Sequence, residues 1–197
     1  IELGLVGSEM CIRDSSRASR FKLLVIKINM QSISPETIYR GNYAWEESLP
    51  QITKLTKSPL ILGRGIQTNN LRNNIFNDLK NQKLNVNSAN LQFDCCYEDI
   101  SRVKNIISNN NNDSVIAAGG GKVLDSGKYI AESLNIPCIT VPLSASTCAG
   151  WTALSNIYTK DGQFIKDVAL RSCPKILVYD HKFIQTAPSR TLASGIA

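Results

Sequence analysis

Beyond residue 20 the chain alternates short apolar runs with longer stretches in which apolar residues recur every three or four positions. That repeat is the signature of an amphipathic helix, and a short continuous apolar run is the signature of a buried strand. Residues 45–56 (WEESLPQITKLT) have helical spacing, with Pro50 interrupting it, and Pro59–Leu62 (PLIL) predicts a buried strand ending in Gly63-Arg64-Gly65. Leu71, Ile75 and Leu79 put one apolar face on a helix over 69–83. A strand follows over Asn87–Phe93, then a helical face through Ile100, Val103, Lys104 and Ile107. Asn109–Asn112 is a polar break of the kind that ends a helix. Ser114–Ala118 (SVIAA), Ile136–Val141 (IPCITV) and Ile176–Tyr179 (ILVY) predict three more strands, with a helix from Lys122 to Leu134 between the first two. Pro188 stands where a last helix begins, at the position proline tolerates best. Strands alternating with helices predict an α/β fold, a parallel sheet with helices on both faces. No internal repeat is visible.

Composition narrows the class. The 197 residues are 43% hydrophobic and 19% charged, as in globular domains, and long enough to bury a core. No apolar run reaches the roughly 18–20 residues that cross a bilayer, so no membrane partner is expected. The net charge is +6, but Lys and Arg are scattered rather than gathered in a tract. That predicts a mildly basic surface that attracts small anions, and no nucleic-acid partner. Six cysteines, none spaced as CxxC, predict free thiols and a cytoplasmic location. Residues 1–20 join poorly to the rest: IELGLVGSEMCIRDS has an acidic start and no cleavage pattern, and resembles translated linker sequence. They are set aside as non-native, with Met30 a candidate start.

The densest chemistry lies in residues 114–134, SVIAAGGGKVLDSGKYIAESL. Three glycines follow a buried strand and open a helix. A turn without Cβ atoms lets backbone N–H groups approach a ligand closely, and the helix dipole adds positive potential. A phosphate or pyrophosphate suits such a place. Lys122 and Lys128 are candidates to add charge, and Asp125 is expected in the first helical turn. The pattern is neither GxGxxG nor a Walker loop.

It does resemble the GGGKxxDxxK stretch of the iron-containing alcohol dehydrogenase and glycerol dehydrogenase family, and Thr147-Cys148-Ala149-Gly150-Trp151-Thr152 resembles that family's hydroxycarboxylate dehydrogenase branch. The likeness continues through VPLSAST (141–147), TALSNIY (152–158), Asp161-Gly162, PKILVYD (174–180), and APSR (187–190) to SGIA (194–197). It covers roughly residues 37–197, most strongly from 114 onward. The resemblance implies a Rossmann-like NAD(P)-binding domain over residues 21–186. Residues 187–197 would begin the family's helical, metal-binding domain. It further implies that Gly119, Gly120, Gly121, Lys122 and Val123 lie against the cofactor pyrophosphate, with Leu143, Ser144, Ser146, Thr152, Leu154 and Tyr158 lining the rest of the site. Hairpin packing is the competing role for Thr152 and Tyr158.

Two positions depart from the family pattern. Glycerol dehydrogenases carry an aspartate near the substrate after "ST", where this chain has Cys148. A neutral thiol there admits an anionic substrate more cheaply than a carboxylate does, so 2-hydroxy acids compete with glycerol as substrates. Alternatively, Cys148 is a small packing residue. Arg64 stands where NAD-preferring members carry an acid for the adenosine ribose; an arginine pairs instead with a 2′-phosphate, which points to NADP over NAD. A solvated surface arginine is the other reading. The family's zinc or iron ligands would be an aspartate just beyond Ala197 and two histidines farther on. His181, the only histidine, matches none of them. Residues 1–197 alone are therefore not expected to complete the catalytic centre. The implied activity is metal-assisted hydride transfer between NAD(P) and a small alcohol, polyol or 2-hydroxy acid, in a homo-oligomer when whole. A lyase like 3-dehydroquinate synthase and a non-catalytic nucleotide-binding fragment are the alternatives.

Overall fold

A computed structural model describes residues 33–196, so the expectations for residues 1–20 lie outside the described residues. The elements run β1 (Thr37–Gly41), α1 (Ala44–Leu55), β2 (Pro59–Gly63), α2 (Asn69–Asn81), β3 (Asn87–Asn90), α3 (Tyr97–Asn109), β4 (Ser114–Gly119), α4 (Gly121–Leu134) and β5 (Cys138–Pro142). There follow β6 (Leu154–Tyr158), β7 (Phe164–Ala169), β8 (Ile176–Asp180), α5 (His181–Gln185) and α6 (Ser189–Ile196). Six strands form one sheet in the order β1-β8-β5-β4-β2-β3, every neighbouring pair parallel. β6 and β7 pair antiparallel as a separate hairpin. The α/β expectation holds.

Side chains alternate across the pleat, and the core divides accordingly. Leu60, Leu62, Val115 and Ala117 point to one face, where they meet Ile100, Val103 and Ile107 of α3 and Leu124, Ile130 and Ala131 of α4. Ile61, Ile116, Ala118, Ile139 and Val141 point to the other, packed against Trp45 and Ile52 of α1 and Ile75 and Leu79 of α2. Each such fully buried aliphatic side chain contributes roughly 1.5–3 kcal/mol relative to exposure. α4 lies unusually close to its strand. A Cβ on Gly127 would sit 2.4 Å from the Cβ of Ala117, so only glycine lets the helix approach that far.

Pro50 does not break α1, which runs through it. Pro50 and Glu46, the residue whose carbonyl its missing N–H would have bonded, are both exposed, so the lost bond falls on the helix's outer face. The strand predicted over Asn87–Phe93 is shorter than its pattern, ending at Asn90, because Leu91 to Cys96 turn away into a loop. β1 carries no continuous apolar run and was not expected. It forms as the sheet's edge, half-buried in alternation, by pairing with β8 from Thr37↔Ile176 to Gly41↔Asp180. The buried Asp180 then joins two helix starts, accepting from the Trp45 N–H at 3.0 Å and the Lys182 N–H at 2.8 Å.

Candidate functional site

The sheet order places a topological switch between β2 and β4. From β2 the chain moves outward to β3, then returns to lay β4 on the other side of β2. In open parallel sheets a crevice forms at such a point, beyond the strands' carboxyl ends. A cleft of about 990 Å³ opens there. One wall is the β2–α2 connection (Arg64 to Thr68, with Asn70 and Leu71), and another is Gly119 to Val123. Leu143 and Ser144 after β5 and Thr186 to Pro188, with Thr191, close it.

The floor is built by glycines with different duties. A Cβ on Gly119 would lie 2.8 Å from Val123 Cγ2, so this glycine permits the tight entry into α4. At Gly120, the N-cap, the nearest neighbour of an added Cβ is Ser144 Oγ at 3.8 Å, which leaves open space over the backbone. The N–H groups of Gly120, Gly121 and Lys122 find no acceptor among the described residues. Helix starts leave such donors unpaired, and here no acidic residue lies in the first turn to use them. Beside them, the hydroxyls of Ser144 and Ser146 lie 3.1 Å apart. Thr147 Oγ accepts the Ala149 N–H at 3.0 Å, bracing the serine loop.

The β2–α2 wall is pinned by a residue the sequence pattern did not single out. Arg72, 5% exposed, crosses over Gly63 and donates to the carbonyls of Arg64 (3.2 Å) and Gly65 (2.7 Å) and to Thr68 Oγ. Burial pulls its pKa down from the usual arginine value. Arg64 itself turns to Asp94, which also holds the ammonium of Lys122. Lys122 further sits 5.0 Å from the centre of the Tyr158 ring. Asp94 was likewise missed: it lies in an irregular loop, and a lone aspartate there has no distinguishing pattern.

Of the residues singled out by sequence, Arg64, Gly119, Gly120, Gly121, Lys122, Val123, Leu143 and Ser144 meet in this cleft. Ser146 joins through Ser144, and Tyr158 touches the site through Lys122. Thr152 and Leu154 do not line the cleft. Their carbonyls accept from Lys128, whose ammonium is buried and also bonds the Asp125 carboxylate at 3.0 Å. Lys128 is therefore committed to the hairpin and is not available to a phosphate. Asp125 lies past the first turn, where burial pushes its pKa up against the opposing pull of Lys128. Cys148 is exposed beside a separate apolar hollow of about 250 Å³ shared with Trp151, Leu177 and Tyr179. His181 starts α5. Among the described residues no three His, Cys, Asp or Glu side chains converge as metal ligands, and no helix is long and apolar enough to cross a membrane. The thiols at Cys95 and Cys138 are pushed up to about 12 by burial, which makes them packing groups rather than nucleophiles.

A parallel sheet with a glycine cradle at its switch point defines a Rossmann-like domain. The iron-containing alcohol dehydrogenase family model matches residues 35–181, and the chain belongs to that family. It is similar to an uncharacterised oxidoreductase of Synechocystis sp., 40% identical over 117 residues, which are 59% of this chain and 30% of that protein. Glycerol dehydrogenase 1 of Schizosaccharomyces pombe is 33% identical over 164 residues, 83% of this chain and 36% of the yeast protein. The crystal structure of glycerol dehydrogenase from Schizosaccharomyces pombe superposes with a TM-score of 0.76 at 30% identity, covering 85% of this chain and 43% of that one. The chain thus spans less than half the length of each of these three relatives.

Proposed function

We propose that residues 33–196 form the cofactor-binding part of an oxidoreductase that moves a hydride between NAD(P) and the CH–OH group of a small alcohol, a glycerol-like polyol or a 2-hydroxy acid. The observation that carries this reading is the cradle at Gly119–Gly121. It offers unpaired N–H groups at a helix start, open space over Gly120, and Lys122 and Arg64 as flanking cations. A pyrophosphate fits donors and cations so arranged. The nicotinamide supplies the hydride chemistry when bound. The protein's part is to fix the pyrophosphate on Gly119 to Val123, to present hydroxyls from Ser144 and Ser146, and to set Arg64 at the end of β2. That position suits a ribose 2′-phosphate, so the reading favours NADP over NAD.

Cys148, beside the apolar hollow, is the substrate-proximal residue in this reading. In this reading the zinc or iron ligands fall outside residues 33–196. The whole protein works in the cytoplasm as a homo-oligomer on a small-molecule substrate, without nucleic-acid or membrane partners. Titrating NADPH and NADH into the folded protein, followed by nicotinamide fluorescence, tests the reading. Saturable binding with NADPH tighter supports it. Binding with NADH tighter keeps the cleft and removes the role of Arg64. Absence of binding by either, from a folded sample, overturns it.

A further inference from the structure

Among the described residues, Asp94 is the one carboxylate that pairs with both Arg64 and Lys122 at the mouth of this cleft. It sits in the loop between β3 and α3 with its side chain 11% exposed, and it pairs with Arg64 through one oxygen and Lys122 through the other. The hairpin turn closes over it: Gly162, at φ +84°, would place a Cβ 3.4 Å from the same oxygen that holds Lys122. Neighbouring Phe93 lies under Lys160, 4.6 Å from ring centre to ammonium. A carboxylate so far out of water is stable only while paired. Its two partners differ from it. Their side chains are 42% and 43% exposed, and both line the cleft. Arg64 and Lys122 are long, rotatable and wet at their tips, whereas Asp94 is fixed.

A phosphate entering the cleft asks for the cations that Asp94 already holds. In the reading above, Lys122, in the first turn of α4, stands on the pyrophosphate side, and Arg64, just past β2, on the ribose side. A pyrophosphate therefore draws chiefly on Lys122, and a 2′-phosphorylated dinucleotide draws on both at once. We propose that Asp94 is a specificity-determining residue of this site, the internal anion that the cofactor's phosphates displace. It holds down affinity for anionic ligands, and most strongly for those carrying a 2′-phosphate. This rests on the dinucleotide reading above.

The test is Asp94→Asn with NADPH and NADH as probes. Removing one negative charge at this range raises affinity for NADPH about tenfold and for NADH about threefold, so the preference widens. Asp94→Glu, which keeps the charge, stays near wild type for both. Structural damage weakens binding, so tightening is not its signature. Wild-type or weaker affinity in a folded Asp94→Asn protein overturns the proposal. Should that variant not fold, the wild-type protein carries the test. The Asp94 carboxylate carbon resonance must move when NADPH saturates the cleft, and an unmoved resonance overturns the proposal. If the wild-type protein binds neither dinucleotide, the cofactor reading fails and takes this one with it. If it binds them and Asp94→Asn does not tighten, only this one falls.

Discussion

The ammonium of Lys128 lies 3.0 Å from the carbonyl oxygen of Thr152, reaching from the glycine-opened helix to the base of the hairpin. It also meets the Leu154 carbonyl and the Asp125 carboxylate, and Lys128 is only 2% exposed. Buried charge is tolerable because every ammonium proton has an acceptor. Lys128→Met leaves Asp125 and two carbonyls without their partner, and is expected to cost about 3–5 kcal/mol. Urea unfolding monitored by circular dichroism measures this. A loss below about 1 kcal/mol would show that the lysine is not the clip joining helix to hairpin.

Adjacent glycines of the cradle should behave differently when given a methyl group. At Gly119 the new Cβ collides with Val123, so Gly119→Ala is expected to destabilise the fold by about 1–3 kcal/mol. At Gly120 nothing stands closer than 3.8 Å, and the φ of −85° suits alanine. Gly120→Ala should stay within about 1 kcal/mol of wild type, the usual cost of alanine at an N-cap. The methyl group then fills space that the proposed dinucleotide would occupy, and NAD(P)H affinity should fall about tenfold or more through lost close approach. Thermal melts and nicotinamide fluorescence on the two variants separate these effects. Equal stability and equal binding losses would remove the division of labour.

How much of this was legible beforehand follows from what each residue's signal is made of. The buried strands and the faces of α2 to α4 announce themselves by periodicity, because burial on two sides demands continuous apolar runs. The glycine triplet announces itself because no other residue serves at a tight strand-to-helix entry. β1 was silent: an edge strand half in water carries no continuous apolar run, and it pairs with a strand some 135 residues away. The roles of Asp94, Arg72 and Asp180 were silent too. Each is a single polar residue whose meaning comes from partners remote in sequence or from a loop with no period. Lys128 was legible as a motif position and misleading as chemistry, since only the packed structure shows that its charge is spent on the hairpin. The family likeness named eight residues that line the cleft, but also Thr152 and Leu154, which do not, and it gave no sign that Arg64 and Lys122 share Asp94.

Asp113 offers a pH-dependent check on the sheet's opposite end. Its carboxylate accepts from the Lys57 N–H at 2.7 Å, the Ser58 N–H at 3.1 Å and the Thr56 hydroxyl, tying the start of β2 to the start of β4. Burial alone would raise its pKa, but these donors outweigh burial and hold it below the ordinary value. A carboxyl with a depressed folded pKa adds stability above its unfolded value, near 3.9, and loses it as pH falls through the folded value. Asp113→Asn should therefore be less stable than wild type by about 1–2 kcal/mol at pH 7. That gap should stay constant down to about pH 5 and close below about pH 4, as wild type takes up its proton. A gap unchanged at pH 3 would mean that the charge is not what the backbone donors recognise.

In the proposed reading, Arg64 decides which dinucleotide the cleft prefers. Among the described residues it is the only cation at the end of β2 that both lines the cleft and is not tied to the backbone, since Arg72 is spent on the carbonyls of Arg64 and Gly65. Arg64→Gln keeps the length and a donor but removes the charge and the planar fork that suits a phosphate. NADPH affinity is expected to fall at least about tenfold, as for a lost charge-assisted contact, while NADH affinity stays within about twofold. Asp94 keeps Lys122 after the substitution, so the pyrophosphate end should be little changed, and the comparison reports the ribose end alone. Parallel losses for the two nucleotides would instead place Arg64 over the pyrophosphate. Unchanged binding of both would make it a surface partner of Asp94 with no part in recognition.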